Sequence, residues 1–204
     1  MFPTLFDIID FLRVCNADII CLQEVNESAK VGFQVSSLKE ELNMFSHFGA
    51  NVVDLGLNYG LVTYSKYPIK SENHIYLSSD REQRGILHTV LNVDGRNLNV
   101  INVHLGLGEK EREIQIKELI GFINSLGGEP YIVVGDFNED NLDIDENKLK
   151  DVAKKLNKSN ILTFSTGLDR IDYIFVSPNI NVIDYEVLIK NMSDHYPVVA
   201  KIII

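Results

Sequence analysis

Short uninterrupted apolar runs that stop abruptly on polar residues constrain this chain more than any other feature. Residues 19–22 and 131–134 carry no polar alternation, so neither suits a strand with one wet face. Each needs cover on both sides, as in a layered α/β fold. Residues 86–93 and 98–104 are β-rich and joined through Asp94-Gly95, a dipeptide that favours a tight hairpin because both residues accept positive φ. Helical spacing lies between these runs. Leu5, Ile8, Ile9 and Leu12 follow a Thr4/Asp7 capping-box start, residues 36–42 are amphipathic, and residues 109–126 carry Ile114, Ile116, Leu119, Ile120 and Ile123 before Gly127-Gly128. Strand-like pieces fall near 51–55 and 60–65, with Pro68 closing that unit, and the last strands read as 171–176, 182–189 and 198–204. The charged stretch 139–158 predicts a loop with a short exposed helix.

With 45% hydrophobic residues, no internal repeat and no Ser/Pro-rich linker, residues 1–204 read as a single domain able to bury a core. So many strands with helices only at intervals predict an α/β architecture of two packed mixed β-sheets with helices outside, in preference to one doubly wound sheet. The net charge of -10 excludes a protein that grips nucleic acid mainly by covering phosphates with Lys and Arg. No segment approaches the roughly 18 apolar residues of a membrane span. Residues 1–14 contain Asp7 and Asp10 and have neither a basic leader nor a small-residue cleavage site, unlike a signal peptide. Cys15 and Cys21, the only cysteines, read as buried reduced thiols. Together these features predict a cytoplasmic protein without membrane insertion.

Four strand ends carry chemical side chains: Gln23-Glu24, Asn102-Val103-His104, Gly135-Asp136-Phe137-Asn138 and, just before the final strand, Ser193-Asp194-His195. A strand is a rigid support whose end can face a cleft. Glu24, Asp136 and Asp194 gathered there would repel one another by several kcal/mol per close pair, about 4 at an effective dielectric of 20. A divalent cation with hard oxygen ligands, Mg2+ or Mn2+, relieves that repulsion; otherwise each carboxylate merely caps a turn. His195 beside Asp194 suits acid–base work. Asp172 either orients its imidazole or simply begins a strand. His47, His74 and His88 lack such settings and read as structural or surface residues.

Taken together, Cys21-Leu22-Gln23-Glu24-Val25, Asn102-Val103-His104-Leu105, Gly135-Asp136-Phe137-Asn138, Asp169-Arg170-Ile171-Asp172-Tyr173 and Ser193-Asp194-His195-Tyr196-Pro197-Val198 resemble, in that order, the endonuclease/exonuclease/phosphatase superfamily. The resemblance implies a four-layer α/β sandwich, a Mg2+ or Mn2+ requirement, and attack by water on a phosphoester. It assigns Glu24 as principal metal ligand and Asp194 to the metal or the local charge. Asp136 would position or deprotonate the water, and Asn138 would orient water and phosphate. His104 and His195 would bond the non-bridging oxygens, with Asp172 pairing His195. His195 with Asp172 and Asp136 are rival bases. Among weaker matches, Asn58 would reach the cleft, and Arg84 would either contact a phosphate oxygen or lie on the surface.

One departure stands out. The family opens on a strand that supplies an Asn beside the metal-binding Glu, whereas this sequence starts on the following helix, and Asn16 is not in the equivalent position. Two functions follow: a metal-dependent phosphodiesterase, nuclease or phosphatase, or a catalytically impaired binding or scaffold domain of the same fold. The substrate, whether nucleic acid, phospholipid head group or small phosphoester, and the oligomeric state are not encoded in these motifs.

Overall fold

The computed structural model describes residues 3–167 and 169–204; the first two residues of the apolar N-terminal stretch lie outside it. In chain order the elements are α1 (Leu5–Cys15), β1 (Ile19–Ser28), β2 (Gly32–Phe33), α2 (Gln34–Leu42), β3 (Phe45–Asp54), β4 (Leu57–Ser65), β5 (Ile69–Tyr76), β6 (Gly85–Val93) and β7 (Arg96–His104). There follow α3 (Glu109–Asn124), β8 (Tyr131–Asp136), β9 (Lys150–Asp151), α4 (Val152–Lys155), β10 (Asp172–Val176), β11 (Asn181–Val187) and β12 (Val198–Ile203). The capping box forms: Thr4 Oγ1 accepts from the Asp7 N–H at 3.3 Å and Asp7 Oδ2 accepts from the Thr4 N–H at 2.7 Å. Asp94 (φ 48°) and Gly95 (φ 86°) both take positive φ, which closes the β6–β7 hairpin with the strands' own twist.

The strands form a four-stranded sheet in the order β2-β1-β4-β3, a six-stranded sheet β5-β6-β7-β8-β10-β9 and a separate pair β11-β12. The expected architecture of helices outside packed sheets is present. It differs in detail, since the four-stranded sheet is antiparallel throughout and, among the described residues, only β7 and β8 run parallel. That parallel pair requires a crossover, which α3 supplies.

Three apolar layers hold the stack. Ile9, Val35 and Leu38 of α1 and α2 pack on Ile20, Val62 and Tyr64. Leu119 and Ile123 of α3 cover Ile101, Val103, Val133, Phe137 and Phe175. Leu91, Leu98, Val100, Ile132 and Val176 pack against Val182, Tyr185 and Val187 of β11. The interface between the two large sheets is partly polar, and its hydrogen bonds join strands across the sandwich. His47 Nδ1 lies 2.8 Å from Thr89 Oγ1, and His74 Nε2 lies 2.8 Å from Asn51 Oδ1. These histidines, with His88 bonded to Asn99 at 2.8 Å, are structural, as expected.

Three sequence expectations change. β5 was not anticipated: its run Ile-Lys-Ser-Glu-Asn-His-Ile-Tyr lacks an apolar face because it is a sheet edge, where polar residues discourage further pairing. β1 does not stop at Glu24 but continues to Ser28 beyond a bulge. The helix in the charged stretch is one turn, α4, and only half of it is exposed: Lys154 and Lys155 face solvent, whereas Val152 and Ala153 are fully buried. The charge that hid it is neutralised internally, since Asp151 Oδ2 accepts from Arg170 Nη2 at 2.7 Å and the Arg170 guanidinium lies 4.1 Å over the Tyr173 ring. Cys15 and Cys21 are free thiols, each half-buried, and burial pushes the Cys21 thiol up to about 12.

Candidate active site

Register places the chemistry. His104 at the end of β7 is the parallel partner of Asp136 at the end of β8, and Asp136 is in turn the antiparallel partner of Asp172 at the start of β10. Three neighbouring strands thus deliver His104, Asp136 and Asp172 side by side. β7 and β8 come together there only because residue 135 is glycine, for Gly135 has φ 145° and a Cβ on it would lie 1.9 Å from the Val103 carbonyl oxygen. Beyond it the chain turns through Asn138 in the left-handed region (φ 50°). The Asn138 N–H donates to Asp136 Oδ1 at 2.8 Å, and its Nδ2 donates to the Leu105 carbonyl at 2.9 Å.

Glu24 arrives from the other sheet. It sits at φ 59°, where the β1–β4 register shifts between Leu22 and Val25, a conformation that costs a non-glycine residue about 1 kcal/mol. Asn102 of β7, fully buried, holds the bulge. Its Nδ2 donates to the carbonyls of Leu22 (3.1 Å) and Val62 (3.0 Å), while its Oδ1 accepts from Gln23 Nε2 at 2.7 Å. His195 arrives on a loop pinned at several points: Phe164 bridges to His195, Ser165 N–H donates to the Asp194 carbonyl at 2.7 Å, and Tyr196 N–H donates to Thr163 O at 2.7 Å. The Phe164 ring lies 4.9 Å from the imidazole. Thr163 Oγ1 accepts from the backbone N–H groups of Ile171 and Asp172, so one segment fixes both Asp172 and His195.

The side chains converge on one oxygen. Asp136 Oδ2 lies 3.5 Å from His104 Nε2 and 4.0 Å from His195 Nε2, and His104 Nε2 is 3.9 Å from Glu24 Oε1. His195 Nδ1 lies 2.9 Å from Asp172 Oδ2. Arg84 is buried, which rules out the surface alternative; its Nη1 lies 3.1 Å from His104 Nδ1 and donates to Glu82 Oε1 at 2.6 Å. Because Arg84 can only donate, His104 Nδ1 accepts, and the imidazole proton resides on Nε2, facing the carboxylates. Burial first, then Arg84 and His195, holds His104 down at about 3, so it is neutral. Burial also opposes the charge on His195, but the hydrogen bond and charge of Asp172, with Asp136 and Asp194, outweigh it and raise His195 to about 9. Burial and the carboxylate of Asp172, with a contribution from Glu24, raise Asp136 to about 7 against its bond from Asn138.

The fold therefore gathers Glu24, Arg84, His104, Asp136, Asn138, Asp172 and His195. Two expected members stand apart. Asn58 spends its amide on the Glu27 carbonyl at 3.1 Å; strand alternation turns the next residue, Tyr59, toward Glu24, Glu82 and Arg84. Burial and then Glu24 hold the Tyr59 hydroxyl un-ionised. Asp194 is held by its backbone, and among the described residues its carboxylate has no hydrogen-bond or ion-pair partner. Asn102, Tyr59, Thr163 and Phe164 went unassigned in the sequence. Asn102 sits inside a quoted motif and Tyr59 beside a quoted residue, so motif membership and strand parity were the available signals.

Among the described residues no three His, Cys, Asp or Glu side chains form a metal cage. A Mg2+ ion that keeps most of its waters needs only one or two carboxylates. The donor set suits such an ion: Glu24 offers a carboxylate whose side chain is 63% exposed, and Asp136 is raised by burial and then by the Asp172 and Glu24 carboxylates, a repulsion that a nearby cation offsets.

Comparison with known proteins places this layered α/β scaffold, with carboxylates and imidazoles meeting beside its strands, in one family. The chain belongs to the endonuclease/exonuclease/phosphatase family, whose model matches residues 3–195. It is 37% identical over 144 residues to the uncharacterized protein YbhP of Escherichia coli K12, a match covering 64% of this chain and 57% of YbhP. It thus spans little more than half of that relative. Solved structures with the same fold include an endonuclease/exonuclease/phosphatase from Beutenbergia cavernae (TM-score 0.85, 22% identity, 98% of this chain and 66% of that one). A mannosyl-6-phosphatase from Bacteroides thetaiotaomicron also superposes (TM-score 0.77, 22% identity, 97% and 89%). No described helix is long and apolar enough to cross a membrane.

Proposed function

We propose that this chain, acting as one domain, hydrolyses phosphoesters with the aid of Mg2+ or Mn2+. The observation that carries the reading is the convergence of His104 and His195 on Asp136 Oδ2, with Asp172 behind His195 at 2.9 Å. Glu24 would hold the cation, which when bound supplies polarisation of a phosphoryl oxygen and stabilisation of the departing oxygen. Asp194 contributes charge near His195 in this reading, not a ligand. His195, kept protonated by Asp172, donates from Nε2 to a non-bridging oxygen, and neutral His104 donates from its own Nε2. Arg84 fixes the tautomer of His104 and adds positive charge beside the phosphate. A group already protonated at neutral pH cannot accept the proton of the attacking water. That favours Asp136 over His195 as base. Asn138 holds Asp136 Oδ1 through its backbone and leaves Oδ2 for water.

The net charge of -10 favours a small phosphoester or a locally gripped nucleic acid over an extended duplex. The test is phosphate or nucleotide release from DNA, RNA, phosphomonoesters, phosphodiesters and phospholipids, with Mg2+, Mn2+ or chelator. Turnover should vanish with chelator and fall about 10²- to 10⁴-fold in Asp136→Asn or His195→Ala. Metal-independent turnover indifferent to both substitutions would sink the reading, and no turnover of any phosphoester would favour the scaffold alternative.

A further inference from the structure

The loop between β5 and β6 brings two opposite charges to the centre. Arg84 precedes Gly85, the antiparallel partner of His104, and its guanidinium reaches that imidazole, Nη1 lying 3.1 Å from Nδ1. The same Nη1 donates to Glu82 Oε1 at 2.6 Å. The Arg84 side chain is 8% exposed and that of Glu82 44%, so the carboxylate covers the guanidinium from the solvent side.

The loop that carries Glu82 is tied down on both sides. The Leu77 N–H donates to the Arg84 carbonyl at 2.9 Å and closes it. Inside it, Gln83 Nε2 donates to the Leu77 and Arg84 carbonyls at 2.7 and 2.8 Å, and Ser79 Oγ accepts from the Arg84 N–H at 3.0 Å. From outside, α3 braces it: Glu118 accepts from the Ser78 N–H at 3.0 Å, Glu111 accepts from the Asp80 N–H at 3.1 Å, and Gln115 Nε2 donates to the Ser78 carbonyl at 2.8 Å. The backbone of Glu82 is therefore in place before any substrate arrives.

The pairing changes the charge that a phosphate meets. Glu24, Asp136, Asp172 and Asp194 put carboxylates at or near the centre, opposed by protonated His195 and by Arg84. With Glu82 beside it, Arg84 keeps its donors but brings no net positive charge. Arg81, also on this loop, is exposed and has no ion-pair partner among the described residues, so water screens it. A phosphate oxygen bonded to His104 Nε2 would lie within about 10 Å of Glu82 Oε1. At that separation and an effective dielectric of 20, a fixed carboxylate disfavours each further negative charge on the phosphate roughly tenfold; solvent around Glu82 trims this to about fivefold. A phosphodiester carries one negative charge, whereas a phosphomonoester loses its second proton near pH 6 and carries about two above it.

We propose that Glu82 is a specificity-determining residue: by offsetting Arg84 it sets the centre against phosphate groups carrying two negative charges and in favour of those carrying one. The inference rests on the phosphoester reading of the centre, and two measurements part their fates. In the first, kcat/KM with Mg2+ is compared for p-nitrophenyl phosphate and bis(p-nitrophenyl) phosphate at pH 5 and pH 8, the ratio of the two cancelling titration of the protein's own groups. Glu82→Gln, whose amide oxygen still accepts from Arg84, should raise the monoester-to-diester ratio about fivefold at pH 8 and by less at pH 5. A loss for both substrates with the ratio unmoved would make Glu82 a mere support of Arg84, and an equal shift at both pH values would make shape, not charge, the cause; either overturns the proposal. The second follows binding of methyl phosphate and dimethyl phosphate to the chelator-treated protein at pH 8 by NMR, without turnover. A gain of about fivefold for methyl phosphate relative to dimethyl phosphate in Glu82→Gln upholds the charge selection even if hydrolysis fails. No relative gain refutes it even if hydrolysis succeeds.

Discussion

Replacing Asn102 by leucine keeps the branched shape and heavy-atom count of a fully buried side chain while deleting the amide that ties the two large sheets together. Three hydrogen bonds disappear: those to the Leu22 and Val62 carbonyls at 3.1 and 3.0 Å, and that from Gln23 Nε2 at 2.7 Å. At about 1 kcal/mol each, with some recovered because half-buried Gln23 can turn to water, the loss is about 2 to 3 kcal/mol. For a chain of this length that lowers Tm by roughly 5 to 10 °C. The bulge at Leu22–Val25 would relax toward regular pairing, because nothing else offsets the left-handed backbone of Glu24 at φ 59°. Activity measured well below the transition should fall tenfold or more, since the carboxylate would no longer be aimed. Thermal unfolding followed by circular dichroism reads the first effect and steady-state hydrolysis the second. A Tm within about 2 °C of the parent would show that the amide carries no load. A lowered Tm with unaltered kcat/KM would refute the link from Asn102 to Glu24.

Other consequences are as specific. Asp172→Asn should keep the fold but lower kcat by about 10²- to 10⁴-fold by letting His195 lose its proton and orientation; a flat kinetic response would dismiss Asp172 as an orienting group. Breaking the buried Asp151–Arg170 pair, whose side chains are each 4% exposed, by Arg170→Met should destabilise by about 3–5 kcal/mol, whereas replacing both partners with apolar residues should recover much of it. Urea titration of the single and double variants decides. His47 is held down at about 4 by burial and by His74 and His88, so the unfolded chain binds a proton near 6.5 that the folded chain refuses. Its contribution is complete above pH 6.5 and is lost as pH falls toward 4, about 2 kcal/mol by pH 5. His47→Gln should remove that part of the acid sensitivity, and unfolding curves at pH 7.5 and 5 that match the parent's would exclude it. Gly135→Ala should not yield a folded protein, because the added Cβ would meet the Val103 carbonyl at 1.9 Å; soluble expression with native Tm would overturn the close-approach argument.

His104, Asp136 and Asp172 were legible because each stands at one end of a strand whose apolar run is visible in one dimension. Their companionship was not, because it depends on register. Nothing in the runs 98–104, 131–136 and 172–176 states that residue 104 pairs with 136 and 136 with 172. Only the family resemblance supplied it. Asn58 shows the cost of reading a motif without strand parity: one position on, Tyr59 faces Glu24 while Asn58 bonds backward to Glu27. The burial of Val152 and Ala153 escaped because a charged stretch reads as solvated unless its partner is known, and Arg170 lies 19 residues beyond Asp151.

In the proposed mechanism Glu24 and Asp136, alike as carboxylates, take different parts. Asp136 is almost enclosed, flanked by two imidazoles and pressed by Asp172, so its environment favours taking up a proton. Glu24 stands on a bulge, largely open to solvent, with His104 Nε2 at 3.9 Å and the Tyr59 hydroxyl beside it. An exposed carboxylate aimed by a fixed backbone can share a hydrated cation, whereas an enclosed one near neutrality can exchange a proton with water. Swapping those roles would require moving the bulge from β1 to β8. There Gly135 already brings β8 close against Val103 of β7, so the proposed division of labour is consistent with the packing of β7 against β8.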